Sequence, residues 1–282
     1  MKKVLVIYHK NCIDGTTAAA VVQKKFSQAE LFPLAHNYTK EELDNVLLAI
    51  DSDTDVYTVD CVIGVNEILD RGFKVTAIDH HIGVKDEFSL LAKENPNFKF
   101  IFDNNKSGAS LVWQYFFSDQ EIPEMIKLVE DSDLWLRQYG NDTKFVNNYL
   151  WLWINNPNKV LQILSGDLTE IKRSGEIIST YTDKEVEGLV ELLPIRLKIG
   201  ESVILAYNIS SYVSFCGNIL AEKNLETVAM FTINGDSVKF SFRSKDGFLP
   251  SALDMAKSLG GNGHVLAAGA RVSLKEFIDI IV

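Results

Sequence analysis

Short apolar runs, each ending on an acidic or imidazole side chain, set the rhythm of the first hundred positions. Val4-Leu5-Val6-Ile7-Tyr8 gives way to His9 and then to Asp14-Gly15. Val56-Tyr57-Thr58-Val59 stops at Asp60, and Phe73-Lys74-Val75-Thr76-Ala77-Ile78 stops at Asp79-His80-His81. Runs of this length, rich in β-branched residues and followed by helical stretches, predict parallel strands. Leu31 to Leu34 and Phe98 to Phe102 predict two more. Between them, alanine-rich Thr16 to Phe26 reads as a helix. So does Lys40 to Ile50, whose first turn carries Glu41 and Glu42 as the helix dipole favours. Ser107-Gly108-Ala109-Ser110 opens an aromatic helix through Phe117. Strand and helix in strict alternation predict a doubly wound, mostly parallel α/β sheet.

The texture then changes. From Ile122 to about Leu193 it is helical, with Val160 to Leu164 and Ile171 to Leu193 as two candidate helices. After Pro194, β-type runs return at Ile195 to Ile199, Ser202 to Tyr207, Thr227 to Ile233 and Val238 to Phe242. Asn234-Gly235-Asp236 between the last two is a hairpin signal. Leu249 to Leu259 reads as a helix leading into Gly260-Gly261-Asn262-Gly263-His264. The expected architecture is a catalytic α/β domain over residues 1–165, a helical connector over 166–194 and a smaller α/β domain over 195–282. The active site is expected in the cleft between the two domains.

In an open parallel sheet, ligands sit beyond the carboxyl ends of the strands. Three strand ends would bring His9, Asp14, Asp60, Asp79 and His80 into one crevice. Bare carboxylates resist such crowding, because like charges oppose joint ionisation. A pair of divalent cations resolves the conflict, and a lone carboxylate such as Asp60 is a natural bridge between them. Any one of these residues would as readily cap a following helix; three strand ends carrying them together argue for a metal site.

Composition narrows the field. Of the 282 residues, 46% are hydrophobic and 23% charged, ordinary for a globular protein. No apolar run approaches the roughly 20 residues a membrane span needs. Met1-Lys2-Lys3 before Val4 imitates a signal peptide, but the apolar segment is short and meets His9 and Lys10. Cys12, Cys61 and Cys216 give no even disulfide framework, so reduced thiols and a cytoplasmic location are expected. A net charge of -10 argues against binding duplex nucleic acid. Residues 195–282 are nearly neutral, so the acidity lies almost wholly in the first part. No Gly-x-Gly-x-x-Gly follows the first strand, which disfavours a dinucleotide cofactor.

With these residues in place, the chain resembles the DHH phosphoesterases. Asp79-His80-His81 matches the triplet that names them. His9-Lys10-Asn11-Cys12-Ile13-Asp14-Gly15 is similar to their first motif, Asp60 to the second and Glu130-Asp131-Ser132-Asp133-Leu134-Trp135 to the fourth. Ser241-Phe242-Arg243-Ser244, the glycine loop 260–264 and Ala267-Ala268-Gly269 resemble the associated C-terminal domain. The resemblance implies that His9 holds one metal ion, that Asp60 bridges, and that Asp14, His80 and an Asp of the fourth motif hold the second ion. The family's Asp-Thr-x-x-aromatic spacing favours Asp131 over Asp133. Asp79 would orient a histidine, and His81 would face the phosphate or the leaving group. Arg243, Ser244, Gly261, Gly263 and His264 would bind substrate.

Cys12 departs from the pattern, standing where the family has an aspartate. As a thiolate it would favour softer ions such as zinc or iron. As a thiol it would leave that ion weakly held, or it is simply a small residue in a tight loop. Trp113, Tyr115, Phe116 and Phe117 read as core, as do Trp135, Trp151 and Trp153, although the last three could stack on bases. His36 reads as a solvated loop residue. The expected activity is a phosphodiesterase or exonuclease on short oligonucleotides using two divalent cations, Mn2+ first, with Mg2+, Zn2+ or Fe2+ as alternatives. Cyclic or linear dinucleotides, nucleoside 3′,5′-bisphosphate, pyrophosphate and polyphosphate are alternative substrates. A non-catalytic nucleotide-binding module is the alternative class, and a homodimer is compatible with the chain.

Overall fold

Successive side chains of a strand point to opposite faces, and in β1 (Val4–His9) both faces are apolar and buried. Val4, Val6 and Tyr8 pack into one hydrophobic cluster, Leu5 and Ile7 into another. Such a strand needs helices on both sides of its sheet. The computed structural model, which describes residues 2–282, has them. The chain divides into two units, one ending at Ser179 and the other beginning at Thr180.

In the first unit β1 is followed by α1 (Ile13–Lys25), β2 (Glu30–Leu34), α2 (Lys40–Leu48), β3 (Asp55–Val59), α3 (Val65–Asp70), β4 (Val75–Asp79), α4 (Lys85–Glu94) and β5 (Phe98–Phe102). The five strands are parallel, in the order β2-β1-β3-β4-β5. Helices α2, α3 and α4 bury Leu43, Val46, Ile68 and Phe88 against one face. The other face is covered by α1 and by α5 (Gly108–Phe116), α6 (Glu124–Asp133), α7 (Asn141–Leu150) and α8 (Pro157–Leu164). Local chemistry starts several of these helices. Thr39 and Glu42 form a reciprocal capping box on α2, Ser107 caps α5, and Asn156 caps α8 with Pro157 in its first turn. The chain leaves β1 towards β2 on one side and β3 on the other. Their carboxyl ends therefore open a crevice at the point where the strand order reverses.

The long helix α9 (Thr169–Leu189) carries the boundary between the units and stops short of Pro194. The second unit then contains β6 (Ile195–Ile199), β7 (Ser202–Asn208), α10 (Val213–Asn224), β8 (Val228–Asn234), β9 (Ser237–Arg243), α11 (Ala252–Ser258), β10 (Asn262–Gly263), β11 (Ala267–Ser273) and α12 (Leu274–Asp279). Its sheet has the order β10-β11-β9-β8-β7-β6. Only β7 and β8 run parallel, joined by α10 as the crossover. The hairpin expected at Asn234-Gly235-Asp236 is present, with Gly235 at φ 58°. Val238, Phe240 and Phe242 alternate inward against Met255, Ala256 and Phe277.

Four elements of this unit are absent from the sequence reading: α10, β10, β11 and α12. Tertiary packing decides them. Gly217 of α10 lies so close to Met230 and Arg243 that an added Cβ would be 2.4 Å from the methionine. The alanine- and glycine-rich β11 is a strand because its whole length pairs with β9. No helix among the described residues is long and apolar enough to cross a membrane.

Ile7 is fully buried in the centre of the parallel sheet. Ile7→Ala is expected to lower the stability of the first unit by about 2–5 kcal/mol. Urea unfolding followed by circular dichroism checks this; an unchanged midpoint would contradict the packing described.

Candidate metal centre

The carboxyl ends of β1, β3 and β4 converge on Asp60. This residue is 1% exposed and sits one position beyond β3 with φ at 57°. Left-handed backbone costs an L-residue about 1–2 kcal/mol, least for Asp and Asn. Such strain concentrates at functional sites. Here it turns the carboxylate between two imidazoles. Asp60 Oδ2 is 3.3 Å from His9 Nδ1, and Oδ1 is 3.1 Å from His80 Nε2. His80 Nε2 also lies 3.9 Å from Asp14 Oδ2 and 3.5 Å from Asp133 Oδ2.

Asp14 comes from the first turn of α1 and is 1% exposed. Its two oxygens accept the first N–H groups of α5, Gly108 at 2.6 Å and Ala109 at 3.0 Å. The positive end of a helix is a ready anion site. Two glycines allow the approach. A Cβ on Gly108 would lie 2.8 Å from Asp14 Oδ2 and from Asp60 Cβ; one on Gly15 would lie 2.5 Å from the His9 carbonyl oxygen. Asp79 accepts from the backbone N–H of His80 at 2.7 Å and pairs with His81 Nδ1 at 2.7 Å. His81 is thereby oriented by a carboxylate.

Ligand atoms of Asp14, His80 and Asp133 all lie within 4.8 Å of one another, and so do those of His9, Cys12 and Asp60. Asp60, Asp79, His80 and His81 form a third such group. The three groups are joined through Asp60 and His80, and carboxylates and imidazoles so placed fit the donor set of a dinuclear cation site.

Electrostatics point the same way. Burial pushes Asp14 well above the usual carboxylate range, and the neighbouring charges of Asp60 and Asp133 add to it. Asp133 is pushed up to about 6, by burial first and then by Asp60. Burial also raises Asp60, but hydrogen bonds from His80 and His9 outweigh it and hold that carboxyl below its ordinary value. For His80, burial favours the neutral ring. The hydrogen bond to Asp60 and the charges of Asp14, Asp60 and Asp133 outweigh it and lift the imidazole to about 9. For His81, burial is likewise outweighed, by Asp79. The Cys12 thiol is raised by burial and then by Asp60 and Asp14. Four carboxylates, of Asp14, Asp60, Asp79 and Asp133, crowd about the imidazoles of His9, His80 and His81, a donor set suited to a cation.

Two expectations are corrected by the geometry. Asp131 does not join the cluster; Asp133 does. The two are successive odd positions of α6, about 200° apart around the helix, so only one can face the strand ends. Asp131 instead accepts the Gln138 N–H at 2.7 Å and the Thr143 hydroxyl, tying down the turn after α6. Ser244 is 2% exposed and its hydroxyl bonds Thr227 at 2.8 Å, so it braces β9 instead of facing solvent. The core reading of the tryptophans also fails in part. Trp135 and Trp151 are 60% and 51% exposed, Trp135 in a left-handed turn with Arg137 over its ring. Trp113 and Phe117 are core, and Trp153, Tyr115 and Phe116 pack against it.

The remaining expected substrate residues belong to the second unit. Arg243 is half-buried; its guanidinium donates to the Phe242 carbonyl and to Ser214, both at 2.8 Å. Gly261 packs against the Gly269 carbonyl, where an added Cβ would be 2.1 Å away. Gly263 has φ 148°, and His264 is exposed in the same loop.

Sequence reasoning missed two participants. His36 lies in an exposed turn, but its ring is 4.5 Å from that of His9. Burial, then His9 and His81, holds its pKa below the usual histidine value. Asn155 clasps the loop that carries Cys12: the Asn11 N–H donates to its side-chain oxygen at 2.8 Å, and its amide donates to Asn11 Oδ1 at 2.7 Å. His36 follows the end of β2 by two residues, a strand-end position that carried no motif, and Asn155 follows an aromatic turn far from any strand.

No model of a known protein family matches the sequence. The chain is 23% identical over 293 residues to uncharacterized protein R106 of Acanthamoeba polyphaga mimivirus, covering 95% of this chain and 67% of that protein. RecJ from Thermus thermophilus, solved in complex with Mn2+, superposes with a TM-score of 0.60 at 15% identity. That match covers 99% of this chain and 50% of RecJ. The fold is shared with RecJ. It is shared too with PggH, a pGpG-specific phosphodiesterase from Vibrio cholerae, at a TM-score of 0.57 and 13% identity. Here 99% of this chain and 96% of that one are covered.

Two outcomes follow for the protein stripped of metal by a chelator. His80 is expected to stay protonated until pH nears 9, read from ring nitrogen shifts by NMR. Because its folded pKa is raised, its contribution to stability is complete below about 6.5 and is lost as pH rises through about 9. Asp60→Asn should return the titration towards 6.5, and an unchanged His80 curve would contradict the pairing. Gly108→Ala should displace Asp14 and weaken metal uptake by roughly 10–100-fold, measured by titration calorimetry; wild-type affinity would contradict the close approach.

Proposed function

We propose that the protein is a metal-dependent phosphohydrolase of the DHH type that cleaves the phosphodiester of short oligonucleotides and releases mononucleotides. The observation that carries this reading is the strand-end cluster, in which Asp14, His80 and Asp133 form one group, His9, Cys12 and Asp60 another, and His80 Nε2 lies 3.1 Å from Asp60 Oδ1 between them. Asp14, Asp60, His80 and Asp133 would hold one divalent cation, Mn2+ in the first instance, and His9 and Asp60 would share in a second. Such cations supply charge neutralisation at a phosphoryl group and lower the pKa of water.

The chain's own residues do the rest. Asp79 fixes the tautomer and direction of His81 through Nδ1. The other ring nitrogen of His81 has no hydrogen-bond partner among the described residues; burial lowers the ring's pKa, but the bond to Asp79 outweighs it and raises it above the ordinary histidine value. His81 is therefore suited to give a proton to the leaving oxygen. Arg243 has donors beyond the two already used and can grip a phosphate by paired hydrogen bonds. His264 and the backbone of the glycine loop add donors. A short single-stranded substrate also suits a chain of net charge -10, which lacks the basic face that duplex binding requires. Further support comes from the two proteins that share the fold, one solved with Mn2+ and one specific for pGpG, a linear dinucleotide.

With Mn2+ and pGpG or another dinucleotide, Asp60→Asn and His80→Ala are expected to lose about a thousandfold or more in kcat/KM, several kcal/mol of transition-state stabilisation. Asp133→Asn should lose activity in the same way, whereas Asp131→Asn should chiefly lower Tm. Wild-type turnover in Asp60→Asn would remove the proposal. His81→Gln should cost roughly 10²–10⁴ on the dinucleotide, the range of general acid catalysis. It should cost far less on bis-p-nitrophenyl phosphate, whose leaving group departs unprotonated. Equal losses on both substrates would take the proton-donor role from His81.

A further inference from the structure

The two halves of the cluster differ in chemical hardness. Asp14, His80 and Asp133 offer two carboxylates and an imidazole, while His9, Cys12 and Asp60 offer an imidazole, a sulfur and a carboxylate. The sulfur is not a stray group in a loop. Cys12 is the N-cap of α1 with extended backbone, and its side chain makes no capping hydrogen bond. Its carbonyl instead accepts both the N–H of Thr16 at 3.0 Å and the Thr16 hydroxyl at 2.7 Å. The preceding residue, Asn11, is held in left-handed backbone at φ 59° by its doubled hydrogen bond with Asn155. The backbone on either side is thus fixed, and Sγ stands within 4.8 Å of a ligand atom on His9 and one on Asp60. Cys12 forms no disulfide.

A thiolate discriminates among divalent ions. Sulfur ligands select zinc, iron(II) and cobalt over manganese and magnesium, whereas carboxylate-rich sites suit manganese and magnesium. Resting on the metal centre proposed above, we propose that this protein builds a mixed centre. Cys12 is the thiolate ligand of a zinc- or iron-class ion in the His9–Cys12–Asp60 half, and the Asp14–His80–Asp133 half takes a manganese-class ion. Asp60 is common to both. The sulfur–metal bond forms as the thiol proton leaves to water. Cys12 is then the residue that sets which metal the enzyme carries, a property separate from the reaction it performs.

Cobalt reports on this directly, without turnover. Metal-stripped wild-type protein is titrated with Co2+ and followed by absorption. The expected spectrum has d–d bands together with a near-ultraviolet sulfur-to-cobalt charge-transfer band. Cys12→Ser and Cys12→Asp should keep d–d bands and lose the charge-transfer band. In competition between Zn2+ and Mn2+, read by mass spectrometry of bound metal, wild type should retain one of each. Cys12→Asp should shift the ratio towards manganese by on the order of tenfold or more. Cobalt bound in wild type without the charge-transfer band would overturn the role of Cys12 and leave the metal centre standing. The same holds if Cys12→Ser keeps that band, since the sulfur would then be another. Failure of wild type to bind cobalt at all would remove both.

Discussion

Mutual repulsion among buried carboxylates is the constraint that organises the first unit. Asp14, Asp60 and Asp79 are each 1% exposed, and Asp133 faces the same His80. A carboxylate removed from water must be hydrogen-bonded, paired with a cation, or neutral. The chain answers differently at each. Asp60 is flanked by His9 and His80, Asp79 by His81 and a backbone amide, and Asp14 by the first amides of α5. Among the described residues, Asp133 has only His80 at 3.5 Å. Compensation is thus weakest where Asp14 and Asp133 approach His80, and that is where positive charge from outside the chain is most needed.

The fold tolerates this crowding because the rest of the unit is dense and apolar. Both faces of the parallel sheet are packed by helices, so the strand ends cannot splay apart to relieve repulsion. Gly15 and Gly108 bring two helix starts against Asp60 more closely than any residue with a Cβ would allow. Asn155 and Thr16 hold the Cys12 loop from the other side. Rigid support of this kind is what keeps ligands in place before any ion arrives.

Much of this was legible in the sequence because parallel strands advertise themselves. A five-residue apolar run has few alternatives, and its carboxyl end fixes where the following side chain goes. His9, Asp14, Asp60, Asp79, His80 and His81 all follow from that rule. The rule fails where helices decide. Motif spacing favours Asp131, and only the rotation of α6 against the sheet shows that Asp133 takes the place. Trp135 resembles a core residue until the left-handed turn that exposes it is known. His36 reaches His9 only because β2 lies beside β1, a pairing that spacing alone does not state. In the second unit, β11 has the composition of a loop and becomes a strand through its neighbour β9.

We propose that the strand-end cluster is a dinuclear cation site. Anomalous X-ray scattering from crystals of the metal-loaded protein, collected at the manganese and zinc edges, tests it most directly. Two peaks are expected about 3.5–4 Å apart, both touching Asp60, one beside His9 and Cys12 and the other beside Asp14, His80 and Asp133. Crystals soaked in both metals that show no anomalous peak at Asp60, with Asp14 and Asp133 held by protein groups alone, would contradict it.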